Sequence, residues 1–435
     1  MQRRNQANGR GFRLGLFAFL LIAVCSGWVS AQTSPEMDLQ REIRRLMADL
    51  NAPQAARREA AAEKLKQAGP EILPYLPQPS RVFSAATNKL LEQVRRELEE
   101  AQSRAIWKPS EITLQGEFTL KELLAELAQQ SGNRLVNNSR EAEQTQSKIT
   151  VNFQETPFWE ALNEVLDQAK LELYPYESQT HTLMNRPENA KPMAERTVVR
   201  GAFRIEPQEI RLTNYLKTDD EQGVLQIEMM WESRLKPIAF YLQPQAFSFT
   251  DEEGNSLTLE QFGGRREIIP TAGETSQTFV LPFRVPSREI KKIGSVKGSI
   301  EVLLPGTAQT FTFSNLEAGV SQQQEAGNMT VSLDRIFQNR DIWDILVKLE
   351  FDDRTAALES YRGWVFQNEA NLIDPQGNPV QAGLEEESIR NNRQIGVTYS
   401  YIIDGDLEGY TYRYITPTVI LREPVTFELK DIPLP

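Results

Sequence analysis

Along this chain the spacing of apolar residues changes period twice, and those changes divide it before any other feature is considered. From Met37 to about Arg104 the pattern is helical: Ala, Leu, Glu, Arg and Gln dominate, and Gly and Pro act as punctuation. Around Pro109 strands begin to alternate with helices. From about Val198 onward, apolar residues recur with period two between frequent turn residues, as in β-strands. A chain of 435 residues built in this way is expected to be a multi-domain α+β protein. The expected order is an α-helical segment, a small α+β domain and two tandem antiparallel β-sandwiches.

The helical segment is expected over 36–105. Ala60, Leu65, Ala68-Gly69-Pro70 and Leu73 to Leu76 predict a helix, a sharp turn and a second short helix. From about Arg81 to Arg104 a further helix puts Phe83, Leu90, Leu91, Val94 and Leu98 on one stripe, which reads as a packing face. The run R-R-E-A-A-A-E-K-L-K-Q-A-G-P-E-I-L-P-Y-L resembles one unit of a HEAT-like helical repeat.

Over 106–190 the chain reads strand, helix, strand, and then repeats that order. Both halves open on Ile-Thr, at Ile112 and Ile149. Thr119 and Glu122 have capping-box spacing, and Thr156 is expected to cap a helix with Pro157 at its first position. Leu120, Leu123, Leu124 and Leu127 correspond to Phe158, Ala161, Leu162 and Val165 on the two buried faces. On these residues the stretch from about Glu111 to Arg186 resembles the secretin and TonB N-terminal short domain. The resemblance implies a periplasmic unit that docks onto other envelope proteins, and recognition without catalysis. It covers less than a fifth of the chain, and no secretin pore or outer-membrane barrel pattern follows. Secretion and transport are therefore not implied. The polar stretch around Pro187 and Pro192 is expected to be a linker.

The strand-rich remainder is read as two related sandwiches, 196–318 and 327–435, joined near Gly319 to Gly327. G-V-L-Q-I-E-M-M-W-E matches D-I-L-V-K-L-E-F-D, and F-S-F-T-D-E-E-G-N-S matches A-N-L-I-D-P-Q-G-N-P. T-F-T-F near Phe311 matches V-T-F-E-L near Phe427. The pairs Gly254-Asn255 and Gly377-Asn378 suit turns that need positive φ.

Residues 1–31 have the order of a cleaved signal peptide: Arg3, Arg4, Arg10 and Arg13, an apolar stretch from Leu14 to Val24, then Val29-Ser30-Ala31. The expected location is periplasmic or extracellular, with no membrane span after cleavage. The alternative is a lipoprotein acylated at Cys25, although Val24 is bulky for such a signal. Cys25 is the chain's only cysteine, so cleavage after Ala31 leaves no disulfide or thiolate site. Cleavage also removes four of 48 basic residues, leaving 44 against 60 acidic ones, a net charge of −16. That sign opposes binding to nucleic acid and to anionic lipid.

Little in the sequence points to catalysis. His181 is the only histidine and is expected on a surface or half-buried strand. The acidic loops Asp219-Asp220, Asp251-Glu252-Glu253, Asp352-Asp353 and Asp404-Gly405-Asp406 lack the alternation of a calcium loop and read as solvated turns. No phosphate-cradling glycine loop, nucleophile elbow or zinc signature is present. No cofactor is expected. Aromatics remain: Trp231, Tyr241 and Phe247 in the first sandwich, and Trp343, Tyr361, Trp364, Tyr399, Tyr401, Tyr410, Tyr412 and Tyr414 in the second. Tyr410, Tyr412 and Tyr414 alternate on one side of a strand, either as core or as an aromatic binding face. The expected function is a non-enzymatic protein-protein interaction or scaffolding role in the bacterial cell envelope, with carbohydrate or cell-wall binding through sandwich aromatics as the alternative.

Overall fold

The computed structural model describes residues 35–435 apart from 140–147, 175–179, 217–219, 260–263, 272, 286–288, 327–328, 352–363, 366–367 and 392–393. The expected signal segment, with Cys25, lies outside the described residues.

The helical unit comprises α1 (Pro35–Leu50), α2 (Ala55–Gln67), a 3-10 turn (Pro70–Tyr75) and α3 (Ala85–Ile106). Gly69, at φ 91°, supplies the sharp turn before Pro70. Ser84 caps α3 by accepting a hydrogen bond from the Thr87 amide. Leu91, Val94 and Leu98 pack with Leu50, Leu65 and Ile72 in one core, while Phe83 and Leu90 are half-buried at its rim.

The next unit holds β1 (Glu111–Thr119), α4 (Leu120–Ser131), β2 (Leu135–Asn137), β3 (Lys148–Pro157), α5 (Phe158–Ala169), β4 (Leu171–Leu173) and β5 (His181–Asn185). Thr119 and Glu122 form the expected capping box. The second helix starts later than expected: Pro157 is its N-cap, and Thr156 still pairs with Ile112. The reason is the β1–β3 ladder, which continues to Glu111 opposite Pro157 and occupies the backbone that would otherwise begin the helix. The repeated strand-helix-strand order does not make one sheet. β1 and β3 pair with each other, while β5 lies between β2, to which it is parallel, and β4, to which it is antiparallel. All eight helix-face residues expected to be buried are buried in a single core. Residues 187–192 form a largely exposed connection without helix or strand, and a short helix not expected from the sequence follows at once. This is α6 (Met193–Arg196), whose Met193 is fully buried and whose first amide donates to Asp167 at 2.7 Å.

The remaining strands are β6 (Val198–Arg200), β7 (Phe203–Tyr215), β8 (Asp220–Trp231), β9 (Ala239–Leu242), β10 (Phe247–Asp251), β11 (Ser256–Leu257), β12 (Arg266–Ile268), β13 (Ser276–Val285), β14 (Lys292–Pro305) and β15 (Ala308–Phe313). They continue with β16 (Gln322–Ala326), β17 (Met329–Asn339), β18 (Ile342–Phe351), β19 (Glu369–Ile373), β20 (Pro379–Val380), β21 (Leu384–Arg390), β22 (Gln394–Ile402), β23 (Thr411–Pro417) and β24 (Ile420–Pro433). A β13-β8-β7-β6 sheet and a β11-β10-β14-β9-β12 sheet share one core that includes Trp231, Phe240, Phe249 and Phe279. A β16-β17-β18-β22-β21 sheet and a β15-β23-β19-β20 sheet share another, built on Trp343 and four tyrosines. The two matched turns have the same geometry. Gly254 and Gly377 lie at φ 87° and 90°, and Asp251 and Asp374 each accept from amides two and four residues on.

The expected boundary between the sandwiches is corrected by the pairing of β15 and β24. β15 does not fold back on β14; it pairs with β23 in the second sandwich. β24 does not fold back on β23; it pairs with β14 in the first. One register runs unbroken from Lys292 opposite Pro433, through Pro305 opposite Ile420, to Phe313 opposite Tyr412. At the crossing, the Gly306 amide donates to the Val419 carbonyl at 2.8 Å. Residues 292–313 and 412–433 thus form a single antiparallel ribbon, roughly 70 Å long at about 3.3 Å per residue. It passes from one core into the other: Phe427 packs against Phe247 in the first, and Phe311 and Phe313 lie in the second.

Candidate functional site

Alternation does place Tyr412 and Tyr414 on one side of β23, but that side is the interior. Both are fully buried, and Tyr410 is half-buried against the same core. β23 lies between β15 and β19, and the facing sheet covers its inner surface. The Tyr414 hydroxyl takes a hydrogen bond from Asn368 Nδ2 at 2.8 Å. Burial pushes the Tyr401 hydroxyl up to about 12 and raises Tyr399, Tyr412 and Tyr414 as well. The aromatic binding face at Tyr410, Tyr412 and Tyr414 is therefore corrected to core packing. Trp231, Tyr241, Phe247, Trp343, Trp364, Tyr399 and Tyr401 are buried too, and Tyr361 lies outside the described residues.

The acidic loops use their carboxylates locally. Asp251 bonds the Glu253 and Asn255 amides, and Asp406 accepts from the Glu408 amide. The Asn255 side-chain amide, at 3.0 Å, and then those turn amides hold the Asp251 carboxyl below its ordinary range. Asp219, Asp352 and Asp353 lie outside the described residues, as does the Asp220 side chain. Among the described residues, no group of three or more His, Asp or Glu side chains gathers in a metal-binding arrangement.

His181 is buried, which differs from the expected surface or half-buried position. It is on β5, the middle strand of its sheet, and its ring meets Trp159 edge-on at 4.9 Å. Burial, aided by the Arg204 charge, pushes its pKa down to about 3, so the ring is neutral near pH 7. Its Nε2 lies 3.4 Å from Ser233 Oγ, on the first sandwich.

Among the described residues, four of the buried charged side chains, Arg204, Glu206, Glu228 and Glu232, gather where the α+β unit covers β7 and β8. Phe203, Arg204, Ile205 and Glu206 are buried in succession, because this strand packs on a core with one face and on the α+β unit with the other. Arg204 pairs with Glu206 at 2.7 Å and donates to Asn163 of α5 at 3.1 Å. Arg196 of α6 then joins Glu206 to Glu172, at 3.0 Å each. Glu228 lies opposite Glu206 in the ladder and accepts from Gln208 at 2.8 Å. Burial pushes its carboxyl up to about 7. Nearby, fully buried Glu232 accepts from the Ser110 amide and from Arg234 Nε, both at 2.9 Å. Arg234 in turn donates to the carbonyls of Ile106 and Lys108, tying the end of α3 to the first sandwich. Further bonds from Trp159 Nε1 to the Ala202 carbonyl and from the Ser233 amide to Asn133 complete the contact. Breaking buried pairs of this kind is costly, so the network holds the α+β unit in one orientation.

Sequence reasoning passed over this network. Four consecutive buried positions on a strand signal cover on both faces, but nothing local says that the outer cover includes charges.

On the small sheet of the α+β unit, β2, β5 and β4 bring Val136, buried Thr182 and Tyr174 side by side. Register aligns Val136 with Thr182, and the Tyr174 amide donates to the Thr182 carbonyl. Val136 and Tyr174 are exposed.

No family model, curated protein or solved structure matches this chain. No helix among the described residues is long and apolar enough to cross a membrane.

Proposed function

We propose that this is an exported, non-enzymatic scaffolding protein of a bacterial cell envelope that docks a protein partner through its small α+β unit. The observation that carries the reading is the way that unit is held. It is fixed to the first sandwich by buried charges and side-chain hydrogen bonds, while Val136 and Tyr174 stay exposed on its small sheet. A rigidly seated unit loses little conformational freedom when it binds, which favours recognition. The signal-like start and the resemblance of residues 111–186 to the secretin and TonB N-terminal short domain support export and envelope docking. Carbohydrate binding is the weaker reading, because the tyrosines proposed for it are core residues.

The test uses the full mature chain with Val136→Asp and Tyr174→Asp, both at exposed positions. Wild type is expected to retain a specific envelope protein that the double variant loses, while thermal unfolding stays unchanged. Identical retention by both proteins refutes docking through this face. N-terminal mass determination checks export separately: a start at Gln32 supports it, and an intact Met1 overturns it.

A further inference from the structure

The outward face of the β16-β17-β18-β22-β21 sheet is crossed at one end by a continuous apolar row. Trp343 and Tyr401 point into the core, so alternation sends Ile342 and Ile402 outward. Register sets these two directly opposite each other, 38% and 72% exposed. Leu384 pairs with Ser400, two positions from Ile402, and is 59% exposed. Phe337 pairs with Asp344, two positions from Ile342, and is 54% exposed. The four side chains form a shallow arc across four neighbouring strands, about 14 Å from end to end at the usual strand spacing, with Asp344 and Ser400 in its hollow. Single exposed apolar residues are ordinary, whereas a contiguous row marks an interaction surface.

The fringe of the row says what kind of partner it fits. Asp344 and Glu386 share its face. Asp341, Asp404 and Asp406 occupy two loops at the same end. Gly405 holds these loops together by accepting from Trp343 Nε1 at 3.2 Å and from Gln338 Nε2 at 3.1 Å. Among the described residues the cations nearby are Arg335, Arg340 and Lys348, the last already paired with Asp334 at 3.0 Å. The five carboxylates outnumber them, so the surround is acidic. A second copy of the chain would bring the same carboxylates to the contact, and anionic lipid would be repelled.

We propose that this row is a second docking surface, taking a segment of a partner protein that combines apolar side chains with Lys or Arg. The apolar groups lie on Ile402, Ile342, Leu384 and Phe337, and the cations meet the flanking carboxylates. The surface lies on the second sandwich, so it stands or falls independently of docking through the α+β unit.

The test is fluorescence anisotropy with a labelled peptide of alternating Leu and Lys, titrated with the full mature chain. A peptide of alternating Leu and Glu serves as control. The expected result is saturable binding of the Lys peptide only, weakened by salt and weakened at least about fivefold by Ile402→Ser with Leu384→Ser. Glu386→Lys, a fully solvent-facing change, is expected to weaken it in the same direction. Absence of saturable binding overturns the proposal, as does equal affinity in wild type and variants or equal binding of both peptides. A dimer seen by light scattering and abolished by Ile402→Ser assigns the row to a second copy instead, which also overturns it.

Discussion

Glu228 and His181 lie in the same interface with opposed titrations, and Glu228→Gln separates them. The Glu228 carboxyl is raised from an ordinary 4.5 to about 7 by burial, so the folded state holds a proton that the unfolded state releases as pH climbs. Its contribution is complete below about pH 4.5 and is lost as pH rises through 7. His181 runs the other way. Its pKa falls from 6.5 to about 3, so its contribution is present above pH 6.5 and is lost as pH falls toward 3. Between pH 4.5 and 6.5 the two slopes cancel, and wild-type stability from this pair is flat. The amide introduced by Glu228→Gln still accepts from Gln208 and mimics the protonated acid, which removes one slope only. The variant should gain about 3 kcal/mol between pH 4.5 and 6.5 from His181 alone, at 1.36 kcal/mol per pH unit. Above pH 7 it should exceed wild type by about the same amount, because no carboxylate is forced into the interior beside Glu206. For a cooperative unit of this size the difference corresponds to roughly 6–12 °C in Tm. Calorimetry of both proteins from pH 4.5 to 8 reads it, in the transition that includes the α+β unit and the first sandwich. Parallel Tm profiles, or a variant less stable than wild type at pH 8, refute the reasoning.

Other perturbations probe the contacts one by one. Arg204→Ala takes one of two arginine partners from buried Glu206, leaves Asn163 without its donor, and is expected to cost roughly 3–5 kcal/mol in urea unfolding followed by tryptophan fluorescence, and Arg204→Met should cost less. Gly306→Ala places a methyl group 2.3 Å from Ser103 Oγ and 2.9 Å from the Val419 carbonyl. The expected loss is roughly 1–3 kcal/mol, with faster proteolytic release of the helical unit. Deleting residues 418–435 removes Val425, Phe427 and Leu429 from the first core, each worth roughly 1.5–3 kcal/mol of burial. The Trp231 environment should therefore loosen before that of Trp343, although the deletion follows the second sandwich in sequence. The reverse order would contradict the exchanged pairing.

What could be read from the residues was what depends on neighbours in sequence. Capping at Thr119, the turn at Gly69, the stripe on α3 and the twin turns at Gly254 and Gly377 all follow from local backbone chemistry. Strand faces were readable too, since alternation alone puts Tyr412 and Tyr414 on one side. Whether that side is wet depends on the opposite sheet, which local pattern does not encode. Strand partners were hidden for the same reason. T-F-T-F and V-T-F-E-L read alike, and both carry the alternation needed to pair in either sandwich. The short helix just after Pro192 is not legible locally, because Arg196 and Met193 are satisfied by distant groups, Glu172, Glu206 and the core under α5.

The exchanged strands decide how the surfaces of this molecule relate. β14 shares one edge between β10 and β9, and its other edge is covered along its whole length by β24. Without β24 that edge is bare and apolar, the condition that invites pairing with other chains. The contact is made between residues more than a hundred positions apart, such as Pro305 and Ile420, so it closes late and at an entropic cost. Once closed, it gives both sandwiches a common two-stranded spine, and Ser103 of α3 seats the helical unit against the crossing through the Thr307 amide. Sliding one sandwich past the other would break hydrogen bonds in both sheets at once. The exposed residues of the α+β unit and the apolar row on the second sandwich are thereby carried on one framework, which is the property that the proposed scaffolding role requires.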